Sequence, residues 1–187
     1  MRVIGIDPGI VTTGYGVVDE VNHRLIYVAS GSITTVAKQP LPKRLKKIYD
    51  ELLAVFQAMK PAAVAVENTF VAKNFQSGLK LGQARGIALL AAEQYGVPVF
   101  DTTPTEVKLA VVGYGAARKD QVAGMVGRLL DLKSPPDSHH AADALAVAIC
   151  YLHSARIREL TNRSAATHRL QTAERRPAAY RRRASPL

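Results

Sequence analysis

Cysteine is almost absent from this sequence. Cys150 is the only one, so no disulfide can close within the chain, a four-cysteine metal site is excluded, and a reducing cytoplasm suits it. Long apolar runs are missing as well. The longest, Ala144 to Leu152, falls far short of the roughly 20 residues that span a bilayer. Asp7 also interrupts the N-terminal apolar stretch, which argues against a secretory leader. No membrane association is expected, and the cytoplasm is the expected location. Acidic residues are in short supply, 15 Asp and Glu against 25 Lys and Arg, a net charge of +10. The imbalance is uneven, because nine Arg and two Glu fall between Ala155 and Leu187. A basic chain points to a polyanionic partner, of which nucleic acid is the commonest.

What is present fits one α/β domain with a tail. A length of 187 residues supports one proper core and is too short for two large lobes. The domain is expected over 1–158 and a basic tail over 159–187, structureless from about Thr161 because apolar periodicity stops there. The β-branched run Arg2 to Pro8 reads as a strand covered on both faces. Tyr15 to Val18 and Arg24 to Ser32 complete an antiparallel meander joined by short turns. Leu45, Ile48, Leu52, Val55, Phe56 and Met59 recur at three and four and mark a helix over Leu41 to Met59. A strand from Ala62 to Val66 follows, ending in Glu67, and then a polar loop with two aromatics. Gly78 to Tyr95 is a helix rich in Gly and Ala that lets another helix come close. Val97 to Phe100 is a fifth strand, and Thr103-Pro104-Thr105-Glu106 has the form of a capping box. Helices are expected over Val107 to Val112, Asp120 to Leu132 and His139 to about Ile157, the last capped by Asp137 or Ser138.

Two strands therefore end on acids, Asp7 and Glu67. A right-handed crossover would set these strands side by side and bring the two carboxylates together. Like charges so placed raise each other's pKa unless they share a cation. In H-H-A-A-D, His140 and Asp143 lie three apart on one helical face, a spacing that His139 lacks. Asp7, Glu67, His140 and Asp143 then make an oxygen-rich cup with one imidazole, suited to Mg²⁺ or Mn²⁺. Such a cup can hold two ions and hydrolyse a phosphodiester by in-line attack.

These residues resemble the RuvC-type Holliday-junction resolvases. The carriers are R-V-I-G-I-D-P-G, V-E-N-T-F-V-A-K-N with S-G-L-K-L-G-Q-A-R-G, V-V-G-Y-G-A-A-R-K-D-Q-V and H-A-A-D-A-L-A-V-A, in that order between Met1 and about His153. The resemblance implies a ribonuclease-H-like fold, with a five-stranded mixed sheet flanked by helices. It implies a homodimeric, Mg²⁺-dependent endonuclease that nicks opposed strands of a four-way DNA junction in recombination and repair. Asp7, Glu67, His140 and Asp143 match the catalytic cluster, with His140 where many members carry Asp. Phe70 matches an aromatic that stacks near the junction centre, and Phe75 lies in the same loop. Lys108 and Lys119 match basic residues near the DNA; local charge adds Lys73, Lys80 and Arg118. Branch-migration partners RuvA and RuvB follow from the resemblance.

Rival classes share parts of the pattern. An ATP-binding protein of the actin and sugar-kinase type opens on a similar strand and turn but needs two lobes around its nucleotide. A non-catalytic junction binder would use the acids as strand caps, bind DNA regardless of divalent ions, and cut nothing. The H-A-A-D helix and the F-V-A-K-N loop favour the RuvC type over other nucleases of the same fold, such as ribonuclease H or the YqgF-type resolvases.

Overall fold

A computed structural model describes residues 1–68 and 75–174. Strands β1 (Arg2–Asp7), β2 (Thr12–Val21) and β3 (Arg24–Thr34) form the meander. Asn22 and His23 turn β2 into β3 with φ of 49° and 64°, the left-handed pair that matches hairpin twist. There follow α1 (Leu41–Met59), β4 (Ala63–Glu67), α2 (Phe75–Tyr95), β5 (Val99–Thr102), α3 (Pro104–Val112), α4 (Lys119–Leu129) and α5 (His139–Glu174). The sheet order is β3-β2-β1-β4-β5. The meander is antiparallel, and β4 is parallel to both β1 and β5. The mixed five-stranded sheet agrees with the sequence expectation, and so does the β1–β4 crossover pairing.

Helix α1 ends at Met59, as expected, before Pro61; Lys60 caps it with a left-handed φ of 51° and donates its N–H to the Phe56 carbonyl. Other boundaries differ, for local reasons. Strand β5 starts at Val99 because Pro98 has no N–H; its carbonyl instead accepts from Val64. Helix α2 begins three residues early, at Phe75, and α4 ends at Leu129. The largest correction concerns the tail. Helix α5 runs to Glu174 instead of ending near Ile157. Arg, Ala, Leu, Gln and Glu dominate there, and good helix formers hold a helix without an apolar stripe. Residues 175–187 lie outside the described residues. Contacts divide the chain into a unit of Met1–His153 and another of Ser154–Leu187. Among the described residues no helix is long and apolar enough to cross a membrane.

Alternation along the strands decides which face the acids occupy. Ile4, Ile6, Val64 and Val66 pack into one core with Ile48, Leu52 and Phe56 of α1 and Ala88, Ala91 and Ala92 of α2. Val3, Gly5, Asp7, Ala63, Ala65 and Glu67 therefore share the opposite face. That face is covered by α5, whose Leu145, Ile149 and Leu152 are fully buried. A Cβ on Gly5 would strike Ala144 and Ala148, and one on Gly14 would strike the His140 carbonyl. These glycines let α5 lie directly on the sheet.

Arg2 ties the start of β1 to β2 and to the end of α1. Its Nε and Nη2 donate to Asp19 at 3.0 and 2.8 Å, and its Nη1 donates to the Met59 carbonyl at 2.8 Å. The hydrogen bond from Arg2 holds the Asp19 carboxyl below its usual pKa. A lowered native pKa means that the pair stabilises above the ordinary carboxylate range and that this is lost as pH falls through the native value. Arg2→Ala is expected to cost about 1 kcal/mol at neutral pH, since the pair is partly exposed. In denaturant melts the difference between parent and variant should shrink in acid.

Candidate active site

Register places the first two acids. Ile6 pairs with Val66 across β1 and β4, so one step further along Asp7 and Glu67 leave the sheet as neighbours. Helix α5 supplies the others. Ser138 caps it, its Oγ accepting from the Ala141 N–H at 3.0 Å. Its first turn rests on β2 at Gly14, which sets His140 and Asp143 above the strand ends. Asp7, Glu67, His140 and Asp143 line one cleft of about 360 Å³, with Lys108 of α3 and Lys119 of α4 on its wall.

Two pairings run through this cleft. His140 Nδ1 lies 2.7 Å from Asp7 Oδ2, and Lys119 Nζ donates to Asp143 Oδ2 at 2.9 Å. Burial pushes the Asp7 carboxyl above its usual pKa; the hydrogen bond from His140 and the charge of Lys119 oppose that, while the charge of Asp143 adds to it. Lys119 is raised, first by its bond to Asp143 and further by the charges of Asp143, Asp7 and Glu67. Three carboxylates thus act on one ammonium.

As they stand, no three His, Cys, Asp or Glu side chains among the described residues form a ready ligand group. The open cup expected from the sequence is partly closed by the His140–Asp7 and Lys119–Asp143 pairs. The donor set still fits a hard divalent cation, because three carboxylates face one cleft and already attract the positive charge of Lys119.

The remaining predicted residues are placed as follows. Lys80 lines a different groove, with Ile10, Gln39 and Arg44 between the starts of α1 and α2. Arg118 caps α4 through its backbone, and its side chain pairs with Asp120 at 3.0 Å. Phe70 and Lys73 lie outside the described residues, as does the side chain of Phe75. His139 is exposed and does not line the cleft.

A bracing network behind Glu67 went unread in the sequence. Arg85 of α2 reaches both carboxylate oxygens of Asp101 on β5, at 2.6 and 2.7 Å. The Asn68 N–H donates to the Thr102 carbonyl at 2.7 Å, and the Asn68 side-chain amide points to Asp101 at 3.4 Å. The end of β4 is thereby tied to β5 and α2. No spacing links residues 68, 85 and 101, so only the fold reveals them.

Comparison with known proteins decides the family. The model described as Crossover junction endodeoxyribonuclease RuvC matches residues 3–151. The chain belongs to the RuvC family. A RuvC of Pelobacter propionicus is 50% identical over 169 residues, covering 90% of this chain and 95% of its own. One of Geobacter sulfurreducens is 50% identical over 155 residues, 83% of this chain and 94% of its own. Among solved structures, Thermus thermophilus RuvC in complex with a Holliday junction substrate superposes with a TM-score of 0.80 at 39% identity, over 84% of this chain and 96% of that one. The RuvC fold is ribonuclease-H-like, as the sequence resemblance implied, and RuvC membership brings dependence on a divalent metal.

Proposed function

We propose that this RuvC-family protein resolves four-way DNA junctions by paired, symmetric nicks in recombination and repair. The observation that carries the site assignment is the meeting of Asp7, Glu67, His140 and Asp143 in one cleft beside two lysines. Asp7, Glu67 and Asp143 would hold Mg²⁺, two ions per subunit, with Mn²⁺ as a substitute. Bound there, the ions would lower the pKa of water and neutralise charge on the phosphate, which is the chemistry needed for hydrolysis to 5′-phosphate and 3′-hydroxyl ends. Asp7 orients His140 through Nδ1, which leaves Nε2 for a ligand or the scissile phosphate. Lys108 and Lys119 attract the DNA backbone, and affinity falls steeply with salt. Phe70, Lys73, Phe75, Lys80 and Arg118 extend the DNA surface. The protein works in the cytoplasm alongside the branch-migration proteins RuvA and RuvB.

The test is a synthetic four-way junction incubated with and without Mg²⁺. Two opposed nicks that require the metal support the reading. Junction binding with no cleavage at any divalent-ion concentration favours the non-catalytic binder.

Paired cuts need two sites related by a twofold axis, and α2 offers the surface. Leu79, Gly82, Gly86 and Leu90 form an exposed stripe on it, and a Cβ on either glycine would meet nothing within 4 Å. Ala88 of the same helix is buried in the protein's own core, so substitution there would report on folding. Leu90→Arg is expected to give a folded monomer by light scattering, with single nicks replacing paired ones. An intact dimer would remove α2 from the interface.

A further inference from the structure

We propose that Lys119 serves as the site's own counter-ion, holding Asp143 in competition with divalent metal and giving that carboxylate up when metal binds. The inference rests on Asp7, Glu67 and Asp143 being the metal ligands.

The contact is direct, Lys119 Nζ to Asp143 Oδ2 at 2.9 Å. Local structure does not account for a lysine there. Lys119 is the first residue of α4, where the helix dipole disfavours a cation, so the helix gains nothing from its charge. What favours the charge is the cleft, in which Asp143, Asp7 and Glu67 all attract it. The lysine side chain is 83% exposed, while that of Asp143 is 28% exposed. The ammonium therefore stands on the solvent side of a half-buried carboxylate, on a flexible stem that can swing away. Without metal, the pair neutralises acids that would otherwise repel one another. A metal ion seeking the same oxygen must displace it. Linkage is reciprocal, so a phosphate that draws Lys119 off Asp143 tightens metal binding by the same factor as metal tightens phosphate binding there.

Lys108 provides the control. It lines the same cleft, and among the described residues it has no hydrogen bond to a carboxylate. The experiment is calorimetric titration of Mn²⁺ into the full chain without DNA, for the parent, Lys119→Met, Lys108→Met and Asp7→Asn. Lys119→Met is expected to bind Mn²⁺ about threefold to tenfold more tightly than the parent, with a smaller gain for Lys108→Met. Equal or weaker binding by Lys119→Met overturns the proposal, and so does an equal gain in Lys108→Met, which would reduce the effect to general charge. If Asp7→Asn binds Mn²⁺ as tightly as the parent, the ligand assignment itself fails, which is a separable outcome.

Discussion

Asp7→Asn is expected to bind four-way junctions, cut them slower by a factor on the order of 10³ or more, and melt at a higher temperature than the parent when metal is absent at neutral pH. The rate effect follows from losing the carboxylate at the end of the central strand, since metal-assisted charge stabilisation is worth several kcal/mol and each ~1.4 kcal/mol is tenfold in rate. The stability effect has the opposite sign for an electrostatic reason. Burial raises the Asp7 pKa, so ionising Asp7 costs the native state free energy at any pH above its native pKa. Asparagine keeps the shape and a hydrogen-bonding oxygen for His140 without the charge. Below the ordinary carboxylate range both side chains are neutral, and the two melting curves should converge. Calorimetry from acid to neutral pH, with cleavage assayed on the same samples, checks both signs. A variant that cuts at the parent's rate would remove Asp7 from catalysis.

Gly14→Ala is expected to damage the site through the fold. The added methyl would overlap the His140 carbonyl, with backbone on both sides and no side chain to yield. Overpacking of this kind costs about 1–3 kcal/mol, a fall of roughly 2–4 °C per kcal/mol for a domain of this size. The first turn of α5 must lift, and His140 moves off Asp7. Cleavage should therefore fall by far more than the unfolded fraction explains. Gly124→Ala is the matched control. A methyl there meets nothing within 4 Å, and alanine in the interior of α4 should stabilise by about 0.5–1 kcal/mol. Melting temperature and cleavage rate measured for both variants separate the outcomes; full activity in a folded Gly14→Ala would show that α5 need not sit so close.

Much of this was legible along the chain because it is written in local periodicity. The β-branched run before Asp7, the three-and-four spacing of α1 and the Thr103–Glu106 capping box each depend on neighbours in sequence. The box is fully formed, with Thr103 and Glu106 capping each other's N–H groups. The acidic pair was readable because both strands end on an acid and a crossover has a preferred hand. Other features depend on what the fold brings close. Helix α5 continues past Ile157 by composition alone, which an apolar-stripe criterion overlooks. The closeness of α5 to the sheet depends on Gly5 and Gly14, which in sequence look like any strand glycines. The pairing of Lys119 with Asp143 joins residues 24 apart, and the brace of Arg85, Asp101 and Asn68 joins three elements. These reshape the site from an open cup into one with its own internal partners.

Anomalous diffraction at the manganese edge, on crystals of the full chain soaked in Mn²⁺, tests the central claim most directly. The account predicts a peak in the cleft within ligating distance of Asp7 and of Glu67 or Asp143, with Lys119 moved away from Asp143. A cleft without a peak at saturating Mn²⁺, in protein that still cuts junctions with that metal, would contradict it.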